Sequence, residues 1–233
     1  LSGEVFFVGD NGQGKTNILE SLYVAAYGGS FRTRNDAELA ARGTGAYSIR
    51  VLFRDSGDRT HTISVVYQDG KKRIEKNAKN ITDRKELVDT IPCVLFCHDD
   101  LDFATGNPER KRFFIDQSLS MYDSSYIDVL RKYKKVLKTR NSIIREKRYD
   151  MLDILDTQLA EAGMEVIERR EKTIRDFNQV FARLYREVSG IEGVSIEYSP
   201  SWKKDTLSDI LVSLAERREL DSTLGTSTSG THR

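Results

Sequence analysis

Hydrophobic and polar residues alternate with two different periods near the start of the chain. Residues 5–8 are continuously apolar, which predicts a short buried strand. Residues 15–27 follow a helical period whose apolar face comprises Ile18, Leu19, Leu22 and Ala26. The glycine pair after Tyr27 stops this helix. The segment between the two elements is rich in glycine, so the sequence predicts a loop that joins a strand to a helix.

Residues 47–82 alternate with the period of two that is typical of half-buried strands. Turn residues interrupt the alternation twice, and Asp69-Gly70 is a strong hairpin signal. The pattern predicts an antiparallel meander with strands at residues 47–53, 60–67 and 71–75. The run Ile91–Cys97 is continuously apolar, which predicts a central strand.

The pattern becomes helical from Pro108, a residue that suits the first turn of a helix. One helix is predicted to reach about Met121, and helical periodicity restarts near Asp123 and continues to Val188. The other predictions in this part of the chain are bends at residues 149–150 and 162–163, a strand at 194–198 and a helix at 206–218.

These elements predict an α/β fold with two lobes. Residues 1–105 are predicted to form a mixed α/β lobe with the glycine-rich loop and the antiparallel strands, and residues 106–188 a helical lobe. Residues 189–233 are expected to return toward the first lobe and to be truncated, because the Gly/Thr/Ser-rich end has no closing element after it. The chain opens without Met, so a piece of a longer protein is expected.

Composition excludes several classes of protein. The chain of 233 residues is 38% hydrophobic and 31% charged, which is typical of a globular domain and not of a disordered chain. No apolar run approaches the ~18 residues of a membrane helix, and no targeting segment is visible, so a cytoplasmic protein is expected. Two Cys are too few for a disulfide scaffold. The net charge of +1 does not indicate a nucleic-acid partner.

The strongest chemical signal is the segment GDNGQGKT, which fits the phosphate-loop pattern G-x-x-x-x-G-K-[ST]. Glycines allow successive backbone N–H groups to point into one concavity at a helix N-terminus, where an anion is stabilised. Lys15 would reach the β- and γ-phosphates, and the Thr16 hydroxyl would bind Mg²⁺. The predicted ligands are therefore ATP and Mg²⁺, and the predicted nucleotide-binding residues are Gly9, Asp10, Asn11, Gly12, Gln13, Gly14, Lys15 and Thr16.

The loop with Asn11 and Asn17 resembles the ATPase heads of SMC-type and ABC-type DNA-repair proteins. Further segments are similar to one family, the bacterial RecF recombination mediators. They are SFRTR from Ser30, VLF from Val94, GNPERKRFFID from Gly106 and the final stretch from Gly225. Two departures are Cys97-His98-Asp99 where the family has Ser-Pro-Glu, and Thr231 where it has Pro.

The resemblance implies a P-loop NTPase of the ABC/SMC type, with antiparallel strands and an inserted helical lobe. It implies an ATP-driven homodimer that clamps single-stranded or duplex DNA. This dimer would aid recombinase loading at gaps, support the SOS response and interact with other mediator proteins. The family's S-x-G-Q signature and its Walker B acids lie beyond a His-Arg motif that corresponds to His232-Arg233, and the chain has no S-x-G-Q. We therefore expect weak nucleotide binding, almost no hydrolysis and no catalytic residue within these residues.

Two other interpretations stay open on the residues alone. Asp99 and Asp100 follow an apolar run and could act as a Walker B pair, which would make the protein a small-molecule P-loop kinase. Their rival role is to cap the turn near Leu101. The other interpretation is a non-enzymatic DNA-binding module with a vestigial nucleotide site.

Residues 131–148 contain nine basic residues and one acid. Such a run is either a solvated helix face or a surface for phosphate backbones. The candidate DNA-binding residues are Lys134, Lys135, Lys138, Arg140 and Arg145. Arg32 and Arg34 follow the predicted P-loop helix and could reach nucleotide or DNA, although a surface role explains them equally well.

Overall fold

The computed structural model describes residues 3–88, 90–91, 93–97, 106–202 and 206–231. Contacts divide the chain into two compact units, Leu1–Phe96 and Cys97–Arg233. The predicted boundaries at residues 105 and 188, and the return of residues 189–233 toward the first lobe, stay predictions. None of the helices in the described ranges has the length and apolar content to cross a membrane.

The described residues of unit one contain one α-helix and four strands. These are α1 (Lys15–Tyr27), β1 (Tyr47–Arg54), β2 (Thr60–Gln68), β3 (Lys71–Lys76) and β4 (Lys79–Asn80). The regular elements among the described residues of unit two are helices. Its helices are α2 (Pro108–Tyr122), α3 (Ser124–Arg145), α4 (Leu152–Ser189), α5 (Leu207–Glu216) and α6 (Arg218–Leu224).

The strands of unit one form the predicted antiparallel meander, in the order β1-β2-β3-β4. Asp69 and Gly70 connect β2 to β3 with φ of 51° and 72°, as the two-residue hairpin turn requires. Asn77 and Ala78 make a second such turn, with φ of 50° and 62°, into the short β4 that the sequence did not predict.

Helix α1 packs on one face of this sheet. Val24 and Ala25 are buried against inward-facing residues of the strands, such as Ile63 and Val65. The helix bounds match the prediction, but the predicted apolar face is wrong at its first turns, because Ile18 and Leu19 are exposed. Only the second half of α1 reaches the sheet, so burial begins with Glu20 and continues from Tyr23 to Ala26.

Two predicted strands of unit one are not formed. Residues 5–8 and 93–97 belong to no strand, and Phe6 and Val8 are 79% and 92% exposed. A central strand requires neighbours on both sides, and neither segment pairs with a strand among the described residues. Instead, the hydroxyl of Tyr27 donates to the carbonyl of Cys93 at 2.6 Å.

Burial raises the pKa of the Cys93 thiol and thereby favours its neutral form.

Helices α3 and α4 form the centre of unit two. Asp123 contacts Arg169, and Arg140 contacts Asp156, so the two helices run antiparallel. The predicted break near Tyr149 is confirmed as a single 3₁₀ turn, Tyr149–Met151. The predicted bend at residues 162–163 is wrong, because α4 continues through it without interruption.

The predicted strand at residues 194–198 is also not formed. The amide of Asn178 on α4 donates to the carbonyl of Ile196 at 2.8 Å and accepts from its N–H at 2.9 Å. One side chain therefore makes the two hydrogen bonds that a neighbouring strand would make, and the segment needs no sheet to be held against the helix.

The Gly/Thr/Ser-rich end of the chain is packed into unit two. Ser227, Ser229 and Thr231 are buried. Their polar groups are satisfied by side chains of the helices and of the segment before α5: Asn141 accepts from the N–H of Ser227 at 2.9 Å, and Trp202 donates to Ser229 at 3.2 Å. This composition is typical of linkers, but here polar side chains of unit two form hydrogen bonds with the segment along its length.

Candidate nucleotide-binding site

The glycine-rich loop lies directly before α1. Gly12 and Gly14 have φ of 84° and 85°, a left-handed conformation that glycine adopts readily and most other residues avoid. Gly14 is the N-cap residue and offers no side-chain hydrogen bond, and the first turn of α1 carries no acidic residue. The N–H groups and the positive dipole end of α1 are therefore available to an anion.

Lys15 is folded back onto the loop. Its ammonium group donates to the carbonyls of Gly9 at 2.5 Å and Asp10 at 2.7 Å. A flexible ammonium group is well suited to exchange such carbonyls for phosphate oxygens. Thr16, the predicted magnesium ligand, lies in the first turn of α1. The residues present thus fit a nucleoside phosphate with its cation.

A polar cluster that the sequence did not predict lies one turn further along α1. The buried carboxylate of Glu20 accepts from the hydroxyl of Ser30 at 2.5 Å and pairs with Arg32 at 3.1 Å. The same Arg32 nitrogen reaches the side-chain oxygen of Asn17 at 3.3 Å. The available signal was Glu20 itself, an acidic residue in the half of α1 that packs on the sheet.

The basic residues of α3 divide between two faces of the helix. Lys134, Lys138 and Arg145 lie at helical spacing along one side, and all three are exposed. Lys135 is exposed beside them. None of the ion pairs between described residues involves Lys134, Lys135 or Lys138. Their role in DNA binding stays a prediction.

Arg140 is the exception, and its prediction as a DNA contact is wrong in this structure. Its side chain is 0% exposed and lies on the buried side of α3 with Tyr133 and Ile144. It donates to Asp156 at 2.6 Å and to Asp221 at 2.7 Å. A guanidinium held between two buried carboxylates cannot reach a DNA phosphate.

A second buried arginine, Arg170, binds the Gly/Thr/Ser-rich segment at the end of the described chain. Arg170 donates to both carboxylate oxygens of Asp116 at 2.8 Å and to the carbonyl of Thr231 at 2.9 Å. Burial alone would lower the pKa of Arg170, but the hydrogen bonds and the charge of Asp116 outweigh it and raise the pKa. The arginine therefore stays charged and binds the segment firmly.

The candidate Walker B pair, Asp99 and Asp100, lies outside the described residues, as do His98 and Leu101. Cys93 and Cys97 are not joined in a disulfide, and both are partly buried. Within the described ranges, no group of three or more His, Cys, Asp or Glu residues is arranged to hold a metal ion.

Comparison with known proteins defines the class of this chain. The family described as AAA domain matches residues 2–189. A solved structure of "the recombination mediator protein RecF-ATP in RecFOR pathway" superposes with a TM-score of 0.88 at 26% identity. The match covers 96% of this chain and 63% of that one. The predicted fold class is confirmed: this is a P-loop domain of the ABC ATPase type.

Curated relatives narrow the class to one family. The DNA replication and repair protein RecF of Treponema pallidum (strain Nichols) is 51% identical over 100% of this chain and 66% of its own length. That of Clostridium perfringens (strain SM101 / Type A) is 34% identical over 97% of this chain and 64% of its own length. The chain belongs to the RecF family, and it spans just under two thirds of the length of these relatives.

Proposed function

We propose that the loop Gly9–Thr16 binds ATP together with Mg²⁺. The observation that carries this proposal is the uncapped N-terminus of α1, preceded by two left-handed glycines and followed by Lys15. The loop supplies backbone N–H groups to the β-phosphate, Lys15 supplies a mobile positive charge, and the Thr16 hydroxyl supplies an oxygen ligand to the cation. The RecF structure that superposes on this chain is named RecF-ATP, which supports the same ligand.

Calorimetric titration of the purified protein with ATP, with and without Mg²⁺, tests this proposal. Lys15→Ala is expected to weaken ATP binding by at least about tenfold, because it removes a charge-assisted hydrogen bond to phosphate. Thr16→Ala is expected to remove most of the benefit of Mg²⁺. Lys71→Ala, which removes an exposed lysine of β3, is the control. An unchanged affinity in Lys15→Ala would contradict the proposal.

We further propose that the protein acts on DNA in replication and recombinational repair. The names of its relatives and the basic side of α3 support this role. In this proposal, ATP drives two copies together around single-stranded or duplex DNA, and the clamp aids recombinase loading together with other mediator proteins. ATP hydrolysis would serve as a switch, in a protein located in the cytoplasm.

DNA binding is tested by measuring affinity against salt concentration for a single-stranded and a duplex oligonucleotide. Replacement of Lys134 and Lys138 by Ala is expected to weaken binding and to lower the salt slope by about 0.7–0.9 for each phosphate that is no longer neutralised. Lys172→Ala removes an exposed lysine of α4 and is the matched control. Equal slopes for all three proteins would exclude this face as the contact surface.

A further inference from the structure

The turn between α3 and α4 exposes an aromatic side chain next to cations. Residues 145–151 are all exposed to solvent. Tyr149 begins the 3₁₀ turn that joins the two helices and is 46% exposed, and Met151 in the same turn is 37% exposed. The guanidinium of Arg148 contacts the sulfur of Met151 at 3.3 Å. Among the described residues, none forms a hydrogen bond with the Tyr149 hydroxyl, so the ring is available to a partner from outside.

The backbone of this turn is strained at Lys147. The N–H of Lys147 donates to the carbonyl of Ile144 and that of Arg148 to the carbonyl of Ile143, both at 3.1 Å. This pair of hydrogen bonds closes a helix through a left-handed residue, which is usually glycine. Lys147 has φ of 57°, whereas α1, α4 and α6 all end on a left-handed glycine. Lysine is costly in this conformation, and strain of this kind is common at binding sites.

The turn continues the basic side of α3. Lys134, Lys138 and Arg145 lie on that side, and α3 ends at Arg145, two residues before Lys147. The distance along the helix axis from Lys134 to Arg145 is about 16 Å. None of the described residues accepts a hydrogen bond from the side chains of these four cations. They therefore form one line of positive charge that reaches the turn.

Two carboxylates lie in the same turn. Glu146 accepts from the hydroxyl of Ser142 at 2.9 Å and pairs with Arg148 at 3.4 Å, so one cation and one carboxylate offset each other. Asp150 is exposed, and the four cations of the line outnumber it. The surface as a whole therefore attracts an anion.

This combination of charge and aromatic surface fits single-stranded nucleic acid. Proteins that bind single strands use cations to contact the phosphates and aromatic rings to stack on the bases. An unpaired base can be turned out of the strand onto such a ring. The bases of a duplex are stacked on one another and offer only their edges. Tyr149 could therefore contact a base only where the DNA is unpaired.

We propose that the turn at residues 145–149 binds an unpaired segment of DNA, with Tyr149 stacked on a base and Lys147 at a neighbouring phosphate. This inference rests on the proposed role in DNA binding and deepens it. The basic side of α3 contacts the phosphates of either form of DNA, whereas Tyr149 adds a contact that only a single strand offers. The turn thereby makes the protein prefer single-stranded DNA.

The test measures the affinities for a single-stranded and a duplex oligonucleotide of the same length by fluorescence anisotropy. Tyr149→Ala is expected to weaken single-stranded binding about fivefold or more, while duplex binding changes little. Tyr149→Phe keeps the ring and should keep the affinity. Phe177→Ala removes another exposed aromatic ring of unit two and should leave both affinities unchanged.

A second variant, Lys147→Gly, separates the role of the charge from folding. Glycine adopts the left-handed conformation readily, so the thermal transition should not fall below that of the wild type. Single-stranded binding should weaken, and its salt slope should fall by about 0.7 for the lost phosphate contact. An unchanged slope would exclude that contact.

The outcomes separate this inference from the proposed DNA role. Unchanged single-stranded affinity in Tyr149→Ala, or an equal loss for both forms of DNA, would overturn the stacking role. A turn that binds a protein partner would give the first of these results. If Tyr149→Ala has no effect while replacement of Lys134 and Lys138 weakens binding, only the role of the turn fails. If the wild type binds neither oligonucleotide, the proposed DNA role fails with it.

Discussion

Gly163 lies where α4 passes beneath the indole ring of Trp202. A Cβ atom at this position would lie 2.2 Å from Cζ3 of Trp202 and 3.2 Å from Cε2 of Tyr133. Both aromatic residues are buried in the core of unit two. Glycine is required here for space and not for a bend, which explains why α4 continues through a residue that usually weakens helices.

Gly163→Ala is therefore expected to destabilise the protein by about 1–2 kcal/mol, because the cost of overpacking exceeds the gain in helix propensity. Urea unfolding followed by circular dichroism measures this change. In a Trp202→Phe background the two nearest ring atoms are absent, so the added methyl group should cost less. An equal cost in both backgrounds would show that the indole ring is not the obstacle.

The turn between β1 and β2 depends on one carboxylate. Asp55 accepts from the backbone N–H groups of Gly57 at 2.9 Å and Arg59 at 3.0 Å. His61 on β2 contacts it at 3.0 Å. The hydrogen bond with His61 is the largest of the effects that lower the pKa of Asp55, followed by those from Arg59. The ionised form of Asp55 is thus favoured in the folded protein.

A lowered pKa in the folded state fixes the sign of the pH dependence. Asp55 stabilises the fold above the pKa of an unfolded carboxyl, about 3.9, and this contribution is lost as the pH falls through the folded value. Asp55→Asn should destabilise the protein at pH 7, and the difference from the wild type should shrink below about pH 4. Chemical unfolding at a series of pH values measures it.

The control for this series is Asp58→Asn. The Asp58 carboxylate is 82% exposed in the same turn, and its partner Arg54 is exposed too. Asn tolerates the left-handed φ of 59° at this position. The stability of Asp58→Asn relative to the wild type should stay nearly constant with pH. If Asp55→Asn behaves in the same way, the turn does not depend on the Asp55 charge.

Elements with local signals were predicted well from the sequence, and elements that depend on distant partners were not. The bounds of α1 follow from Lys15 after the glycines and from Gly28, which caps the helix with φ of 69°. The apolar runs at residues 5–8 and 93–97 indicate burial, but burial requires a neighbouring strand that no local pattern supplies. The same applies to residues 194–198, where the neighbour is the side chain of Asn178.

In the candidate site, too, only the features with local sequence signals could be predicted. The phosphate loop is encoded in eight consecutive residues, so it could be identified without any tertiary contact. Arg140 could have been separated from the other basic residues by helical spacing, because it follows Tyr133 by seven residues and precedes Ile144 by four. Its carboxylate partner Asp221 is 81 residues away, and no pattern in the sequence predicts that pair.

At the scale of the whole molecule, Arg140 joins three helices of unit two to the end of the described chain. It contacts Asp156 on α4, Asp221 on α6 and the hydroxyl of Ser227 at 2.7 Å. Asp156 is shared with Arg218, and Asp221 also accepts from the N–H of Thr228 at 2.8 Å. Removing the guanidinium would leave two buried carboxylates without this shared partner.

Arg140→Met is expected to lower the free energy of unfolding by about 3–5 kcal/mol, because buried carboxylates whose charge is no longer compensated are strongly destabilising. Neutralising the partners as well, with Asp156→Asn and Asp221→Asn, should recover much of this stability. Hydrogen exchange should show that residues 226–231 lose protection first, since Arg140 fixes them to the helices. At a temperature where the variant stays folded, its DNA affinity should equal that of the wild type. A weaker DNA affinity with unchanged stability would instead show that Arg140 contributes to DNA binding.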